Sequence, residues 1–211
     1  MTVIAVLNEK GGVGKTTIAT NLTRGFQLAG EAVILIDSDP QGSARDWYAA
    51  AGEDNALPPV VGMDRSPLFK NLKSVTQGFA WAIIDGSPGI EELAVAALKV
   101  ADRVLIPVQP SPYDIWAAES LVELVKARQE VTDGKLKAAF LVSRQIVGTK
   151  LAGEIRAALE GYGLPIFKAF TSQRVVYANS AAQGSTVLDA EPQGAAAEEI
   201  RTLVEEIRAW R

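Results

Sequence analysis

The chain has 211 residues, 48% of them hydrophobic, with 21 Lys and Arg against 25 Asp and Glu and a net charge of −4. That length and apolar content suit one α/β domain, residues 1–211, with a sizeable core, and the ordinary Gly and Pro content argues against disorder. The absence of Cys and His excludes disulfides, Cys/His zinc sites, haem ligation, thiolate nucleophiles and Ser-His-Asp triads. Chemistry therefore falls to carboxylates, lysines, hydroxyls, backbone amides and a metal such as Mg²⁺.

Taken in chain order, Val3–Leu7 reads as a buried strand, followed by the glycine-rich run Lys10-Gly11-Gly12-Val13-Gly14-Lys15-Thr16-Thr17 and a helix over Thr16–Ala29. Next come a strand at Ala32–Ile36, a helix at Ser43–Ala51, a short strand near Val60–Val61 and a strand at Trp81–Ile84. A helix at Glu91–Val100, a strand at Arg103–Val108, a helix at Ile115–Val131 and a strand at Ala138–Val142 follow. The last elements are a helix at Ala152–Tyr162, a strand at Ile166–Ala169 and a helix at Ala195–Trp210. This alternation predicts an α/β fold, a mostly parallel twisted sheet with right-handed crossovers and helices on both faces. No apolar run is long enough to span a bilayer and no signal-peptide pattern opens the chain, so the expected location is cytoplasmic.

In an open α/β sheet, ligands bind at the carboxyl ends of the strands. The residues at those ends are polar or acidic: Asn8 to Lys15, Asp37 to Gln41, Asp85 to Gly89, Pro110 to Pro112, and Ser143-Arg144. The glycines after the first strand let backbone N–H groups turn around an anion, and the helix N-terminus adds partial positive charge there. Lys15 can reach β- and γ-phosphates, and the Thr16 hydroxyl can ligate Mg²⁺. The strict phosphate-loop pattern wants Gly at the position of Glu9, and a lysine, Lys10, stands next to it. Ala82-Ile83-Ile84-Asp85 has the form of a Walker B strand, whose acid can hold a water on Mg²⁺. The Gly86-Ser87-Pro88-Gly89 run after it has the form of a switch loop for the γ-phosphate. Asp37 and Asp39 form a close pair that suits both chemistry and capping of the Ser43 helix. Ser111-Pro112-Tyr113-Asp114 reads mainly as a helix start.

The Lys10–Thr17 run resembles the deviant Walker A motif of the ParA/MinD family of P-loop ATPases, and Asp37-Ser38-Asp39-Pro40-Gln41 resembles that family's Walker A′ element. Asp85, Ile106–Asp114 and Gln173-Arg174-Val175-Val176-Tyr177 match in the same order, so the resemblance spans essentially the whole chain. It implies ATP and Mg²⁺ as cofactors, Asp39 orienting the attacking water, and Asp37 supporting the Mg²⁺ shell or the loop. It implies that Lys10 reaches across a homodimer to the partner's nucleotide, much as an arginine finger does, so that hydrolysis is slow and depends on dimerisation. The phosphate-binding residues would be Gly11, Gly12, Val13, Gly14, Lys15, Thr16 and Thr17, with Arg144 and Ala169–Val175 near the adenine.

The chain's short length resembles the small ParF-type partition ATPases. Such proteins act as ATP-bound dimers on double-stranded DNA without sequence preference, which implies nucleoid association. A ParB-like adaptor stimulates hydrolysis, and the cargo is a plasmid, a chromosome region or a protein organelle such as a carboxysome. Lys150, Arg156, Lys168 and Arg174 are the candidate DNA contacts, although Gln193 stands where many relatives carry Arg before the glycine. Two alternatives remain. A MinD-like protein would need a basic amphipathic terminal helix, whereas Glu198, Glu199, Glu205 and Glu206 outnumber Arg201, Arg208 and Arg211 here. A metabolic ligase of the dethiobiotin-synthetase kind would need a second polar pocket.

Overall fold

The computed structural model describes residues 1–53, 55–89, 91–146 and 151–210, with side chains from 155 onward in the last stretch. Strands β1 (Thr2–Val6), β2 (Val33–Asp37), β3 (Val60–Gly62), β4 (Trp81–Asp85), β5 (Arg103–Val108), β6 (Lys137–Gln145) and β7 (Ile166–Ser172) form one seven-stranded sheet in the order β3-β2-β4-β1-β5-β6-β7. Every pairing in it is parallel. The helices are α1 (Lys15–Leu28), α2 (Ser43–Ala50), α3 (Leu72–Val75) after a 3₁₀ turn at Ser66–Asn71, α4 (Glu91–Val100) and α5 (Pro112–Trp116). Then come α6 (Glu119–Val131), α7 (Leu151–Glu160), α8 (Val175–Ala182), α9 (Val187–Ala190) and α10 (Ala195–Ala209).

The central strands are apolar without alternation because both faces of the sheet are covered. Ala82 and Ile84 of β4 and Val104 and Ile106 of β5 pack with Leu93 of α4 and Leu121 and Val125 of α6. Ile83 and Leu105, one residue out of phase, pack on the other face with Ile18, Leu22 and Phe26 of α1 and Ile200 and Leu203 of α10. Each of the larger side chains among these stabilises the fold by about 1.5–3 kcal/mol, so the sheet is a rigid base for its carboxyl edge.

The acidic character of α10 has a structural use. β7 is an edge strand, and its outward N–H groups would be open to pairing with another chain. Glu206 accepts from the N–H groups of Lys168 and Ala169 at 2.9 and 2.8 Å, and Glu199 from that of Ser172 at 2.9 Å. The apolar face of α10, Ile200, Leu203, Val204 and Ile207, is buried. No described helix is long and apolar enough to cross a membrane.

The expected strands form with small shifts of boundary, and the expected helix at Ile115–Val131 is split into α5 and α6 around Ala117–Ala118. The short pieces at 66–75, 175–182 and 187–190 were not expected. One to two turns carry little periodicity, and such pieces owe their stability to packing, here of Phe69, Leu72, Tyr177, Val187 and Leu188. β6 runs three residues past its expected end because the β6–β7 pairing slips between Val142 and Gln145. That irregularity holds Arg144 at φ 53.

Candidate nucleotide site

The loop between β1 and α1 is anchored at its start by Asn8, whose Nδ2 donates to the Pro107 carbonyl at 2.8 Å while its Oδ1 accepts from the Lys10 N–H at 2.9 Å. Gly12 and Gly14 take φ of 78 and 92°, a left-handed backbone that other residues adopt only with strain. α1 begins with Gly14 as its N-cap, without a side-chain cap or an acidic residue in its first turn. Its first N–H groups and the positive end of its dipole are thus left for an anion. They face a cleft of about 390 Å³ lined by Gly11, Gly12, Gly14, Lys15, Thr16, Thr17, Asp39, Pro88, Arg144, Arg174 and Tyr177, among others. Val13 gives the cleft no side chain, being fully buried, and its carbonyl accepts from Ser143 Oγ at 2.8 Å.

Other side chains brace the loop from outside. Gln109 Nε2 and Arg144 Nη1 both donate to the Gly12 carbonyl at 2.9 Å. Arg144, expected beside the adenine, thus lines the cleft with its guanidinium on the phosphate loop. Lys15 is buried, and its Nζ donates to the Lys10 carbonyl at 2.8 Å. Burial lowers its pKa, against the pull of Asp85 and Asp39.

The carboxylates meet because parallel register sets strand ends level. Asp37 of β2 lies directly opposite Asp85 of β4, and both are fully buried. Asp37 spends both oxygens locally. Oδ1 accepts from the Asp39 N–H at 3.0 Å, and Oδ2 accepts from the N–H of Arg45 at 3.0 Å and from its Nε at 3.2 Å. Of the roles expected of Asp37, its contacts are those of a loop and helix anchor. Asp39 lines the cleft, its Oδ1 accepting from the Gln41 N–H at 3.0 Å, with Ser87 Oγ of the loop after β4 at 3.5 Å.

Asp85 is different, because neither of its oxygens has a hydrogen-bond partner. Burial pushes its pKa up to about 7; the nearby Thr16 hydroxyl and Lys15 pull down, and Asp37 and Asp39 push up. A bare buried carboxylate beside a hydroxyl suits a divalent cation. Thr16 and Asp85 are the residues that would hold Mg²⁺, directly or through water, and the ion would neutralise charge on the phosphates. No cluster of three acids able to hold a metal exists among the described residues, and Mg²⁺ bound mainly by phosphates and water needs none. Asp85→Asn, which removes a buried charge that Thr16 and Lys15 only partly offset, is expected to raise the stability of the nucleotide-free protein above pH 7 by on the order of 1–3 kcal/mol. The same change is expected to weaken Mg²⁺-dependent nucleotide binding. Thermal melts with and without Mg²⁺-ATP check both; lower stability without nucleotide would refute the reading of Asp85.

Lys10 sits at the mouth of the loop with its Nζ on Asp114 Oδ2 of α5 at 2.7 Å. Its side chain is 39% exposed and that of Asp114 5%. The other carboxylate oxygen, Asp114 Oδ1, is buried without a partner. The lysine is therefore held by its own chain, one residue before the glycines that line the cleft.

The basic residues expected to contact DNA are scattered. Arg156 of α7 donates to the Lys168 carbonyl of β7 at 3.2 Å, which puts these two together. Arg174 pairs with Glu199 at 3.1 Å and lines the nucleotide cleft instead. Lys150 lies outside the described residues. Sequence reasoning missed Arg45, Gln109 and the pairing role of Asp114; the partners of Gln109 and Asp114 are about a hundred residues away, so no local pattern could announce them.

A parallel sheet, a glycine-rich loop after its first strand and acids at the ends of the two neighbouring strands define a P-loop nucleotide-binding protein. Residues 4–187 match the CobQ/CobB/MinD/ParA nucleotide binding domain, and the chain belongs to that family. It is 32% identical over 207 residues to maintenance of carboxysome distribution protein A of Halothiobacillus neapolitanus, covering 97% of this chain and 95% of that one. To the chromosome-partitioning ATPase Soj of Thermus thermophilus it is 29% identical over 239 residues, covering 98% and 95%. Its fold matches an ATP complex of a McdA variant from Cyanothece with TM-score 0.73, at 18% identity and covering 100% and 97%. It also matches cobyrinic acid a,c-diamide synthase from Mycobacterium smegmatis with bound ADP and magnesium, TM-score 0.79, at 20% identity and covering 99% and 95%. The family is thus one of P-loop ATPases with positioning and partition proteins among the relatives of this chain.

Proposed function

We propose that this chain is an ATP-hydrolysing positioning switch of the ParA type. Its active form is an ATP-bound homodimer that binds double-stranded DNA without sequence preference, and a small adaptor protein triggers hydrolysis and release. The observation that carries the reading is Lys10: a lysine at the mouth of the phosphate loop, held on Asp114 at 2.7 Å. Partly exposed at the start of the loop, it can serve a second molecule that docks face to face. Within each site Lys15 and the loop amides would neutralise phosphate charge, aided by Mg²⁺ that Thr16 and Asp85 would hold, and Asp39 would orient water.

The nature of the relatives favours positioning over metabolism, with a carboxysome-like body or a chromosome region as the cargo class. At a net charge of −4, DNA binding has to come from a local patch such as Arg156 with Lys168, to which a second copy adds its own. Fluorescence anisotropy on an arbitrary duplex tests this. Binding is expected with ATP and Mg²⁺ but not with ADP, falling linearly in log–log form as salt rises. Binding that is equal with ADP, or absent at low salt, would refute the DNA arm. ATP-dependent binding to anionic vesicles instead would favour a MinD-like target.

A further inference from the structure

We propose that Arg45 is a positioning residue for hydrolysis, holding the backbone of Asp39 so that its carboxylate stays at the cleft. The proposal rests on Asp39 acting on the attacking water, as in the function proposed above. Arg45 stands in the first turn of α2 and reaches three acceptors in two segments, the end of β2 with the loop after it and the residues after β3. Its Nε lies 3.2 Å from Asp37 Oδ2, its Nη2 donates to the Asp39 carbonyl at 2.9 Å, and its Nη1 lies 3.3 Å from Asp64 Oδ2. Asp39 is thereby clamped on both sides, its N–H bonded to Asp37 Oδ1 at 3.0 Å and its carbonyl to Arg45. Asp64, two residues beyond β3, pins the far end of the guanidinium.

The space for this fork is built in. A Cβ on Gly62 would sit 3.0 Å from Arg45 Nη1 and 3.2 Å from its Cδ, so the glycine lets the side chain lie flat across the end of β3. The Asp39 carbonyl also accepts from the Gly42 N–H at 2.9 Å, so the turn survives without Arg45. What is lost is the tie that fixes its orientation. A lysine would keep a charge beside buried Asp37 but cannot span three acceptors, because it is a point donor and not a planar fork. Misplacement of a catalytic group by about 1 Å can cost up to about a hundredfold in rate.

The test is steady-state ATPase kinetics with a separate measurement of ATP affinity for Arg45→Lys, Arg45→Gln and Asp64→Asn, alone and with Asp39→Ala. Arg45→Lys is expected to lower kcat about tenfold or more with ATP affinity within about twofold. Asp64→Asn is expected to lower kcat less. Neither change should slow Asp39→Ala further, since both act through that residue. Parallel losses of affinity, kcat and melting temperature would overturn the proposal, as would losses that add in full to that of Asp39→Ala. If Asp39→Ala slows hydrolysis while the Arg45 and Asp64 variants match wild type, this inference alone fails. If Asp39→Ala hydrolyses ATP normally, the role of Asp39 fails and this inference with it.

Discussion

Lys15→Ala is expected to abolish ATP binding while leaving the protein folded. Lys15 is buried at the foot of the cleft, and its Nζ bonds to a carbonyl of its own loop at 2.8 Å. Burial is the leading influence on it and disfavours its charge, as the lowered pKa records. The nucleotide-free fold therefore gains little from the ammonium, and its removal is expected to change stability by no more than about 1 kcal/mol. The bound state is another matter. Each charge-assisted bond to phosphate contributes about 1.5–3 kcal/mol. Losing two of them corresponds to two to four orders of magnitude in Kd, roughly. Titration with a fluorescent ATP analogue, beside a thermal melt, separates the effects. Unchanged affinity would remove the loop from the account; a collapsed melt would show that Lys15 is structural.

The second large effect concerns Lys10 and Asp114. Asp114 is a buried carboxylate with one oxygen on Lys10 Nζ and the other without a partner. In the dimer proposed above, freeing the lysine to serve the second molecule would leave that charge uncompensated, so the pair would oppose its formation. Lys10→Ala is expected to lower stability by about 1–3 kcal/mol, less than for a fully buried pair because the lysine is partly exposed. It is also expected to lose ATP hydrolysis while keeping ATP affinity. Asp114→Asn works the other way. It releases Lys10 and is expected to strengthen ATP-dependent dimerisation by up to about tenfold. Asp114→Asn in the Lys10→Ala background is expected to restore stability without restoring hydrolysis. Analytical ultracentrifugation and melts check these outcomes; weaker dimerisation in Asp114→Asn would contradict the restraint.

Much of the site could be read before the fold was seen, for a physical reason. A phosphate loop is local: strand, glycines, lysine, hydroxyl and helix follow one another, and each is recognisable by its own chemistry. Asp37, Asp39 and Asp85 were legible because they stand at ends of apolar runs, and parallel register does the rest by setting Asp37 opposite Asp85. The division of labour between them was not legible. That Asp37 is spent on the backbone of Asp39 and on Arg45 depends on how α2 docks, whereas Asp85 meets no such partner. Arg144, expected near a base, does line the cleft, and its bond to the Gly12 carbonyl, made beside the slip in the β6–β7 pairing, is one that no propensity records. Asp114 read as a helix-start acid and is also the holder of Lys10. Its partner lies 104 residues away in sequence, beyond any periodic pattern.

The central claim is that Lys10 acts on the nucleotide of a second copy of the chain. Mixing Lys10→Ala with Asp39→Ala and measuring ATP hydrolysis tests it directly. Each variant alone is expected to be nearly inactive. In a mixed dimer, the Lys10→Ala subunit keeps its own Lys15 and Asp39 and receives Lys10 from its neighbour, so one site in two is complete. With random pairing at equal amounts, the mixture is expected to recover about a quarter of the wild-type rate. A mixture that hydrolyses no faster than the sum of its parts, or a Lys10→Ala protein as active as wild type, would contradict the account.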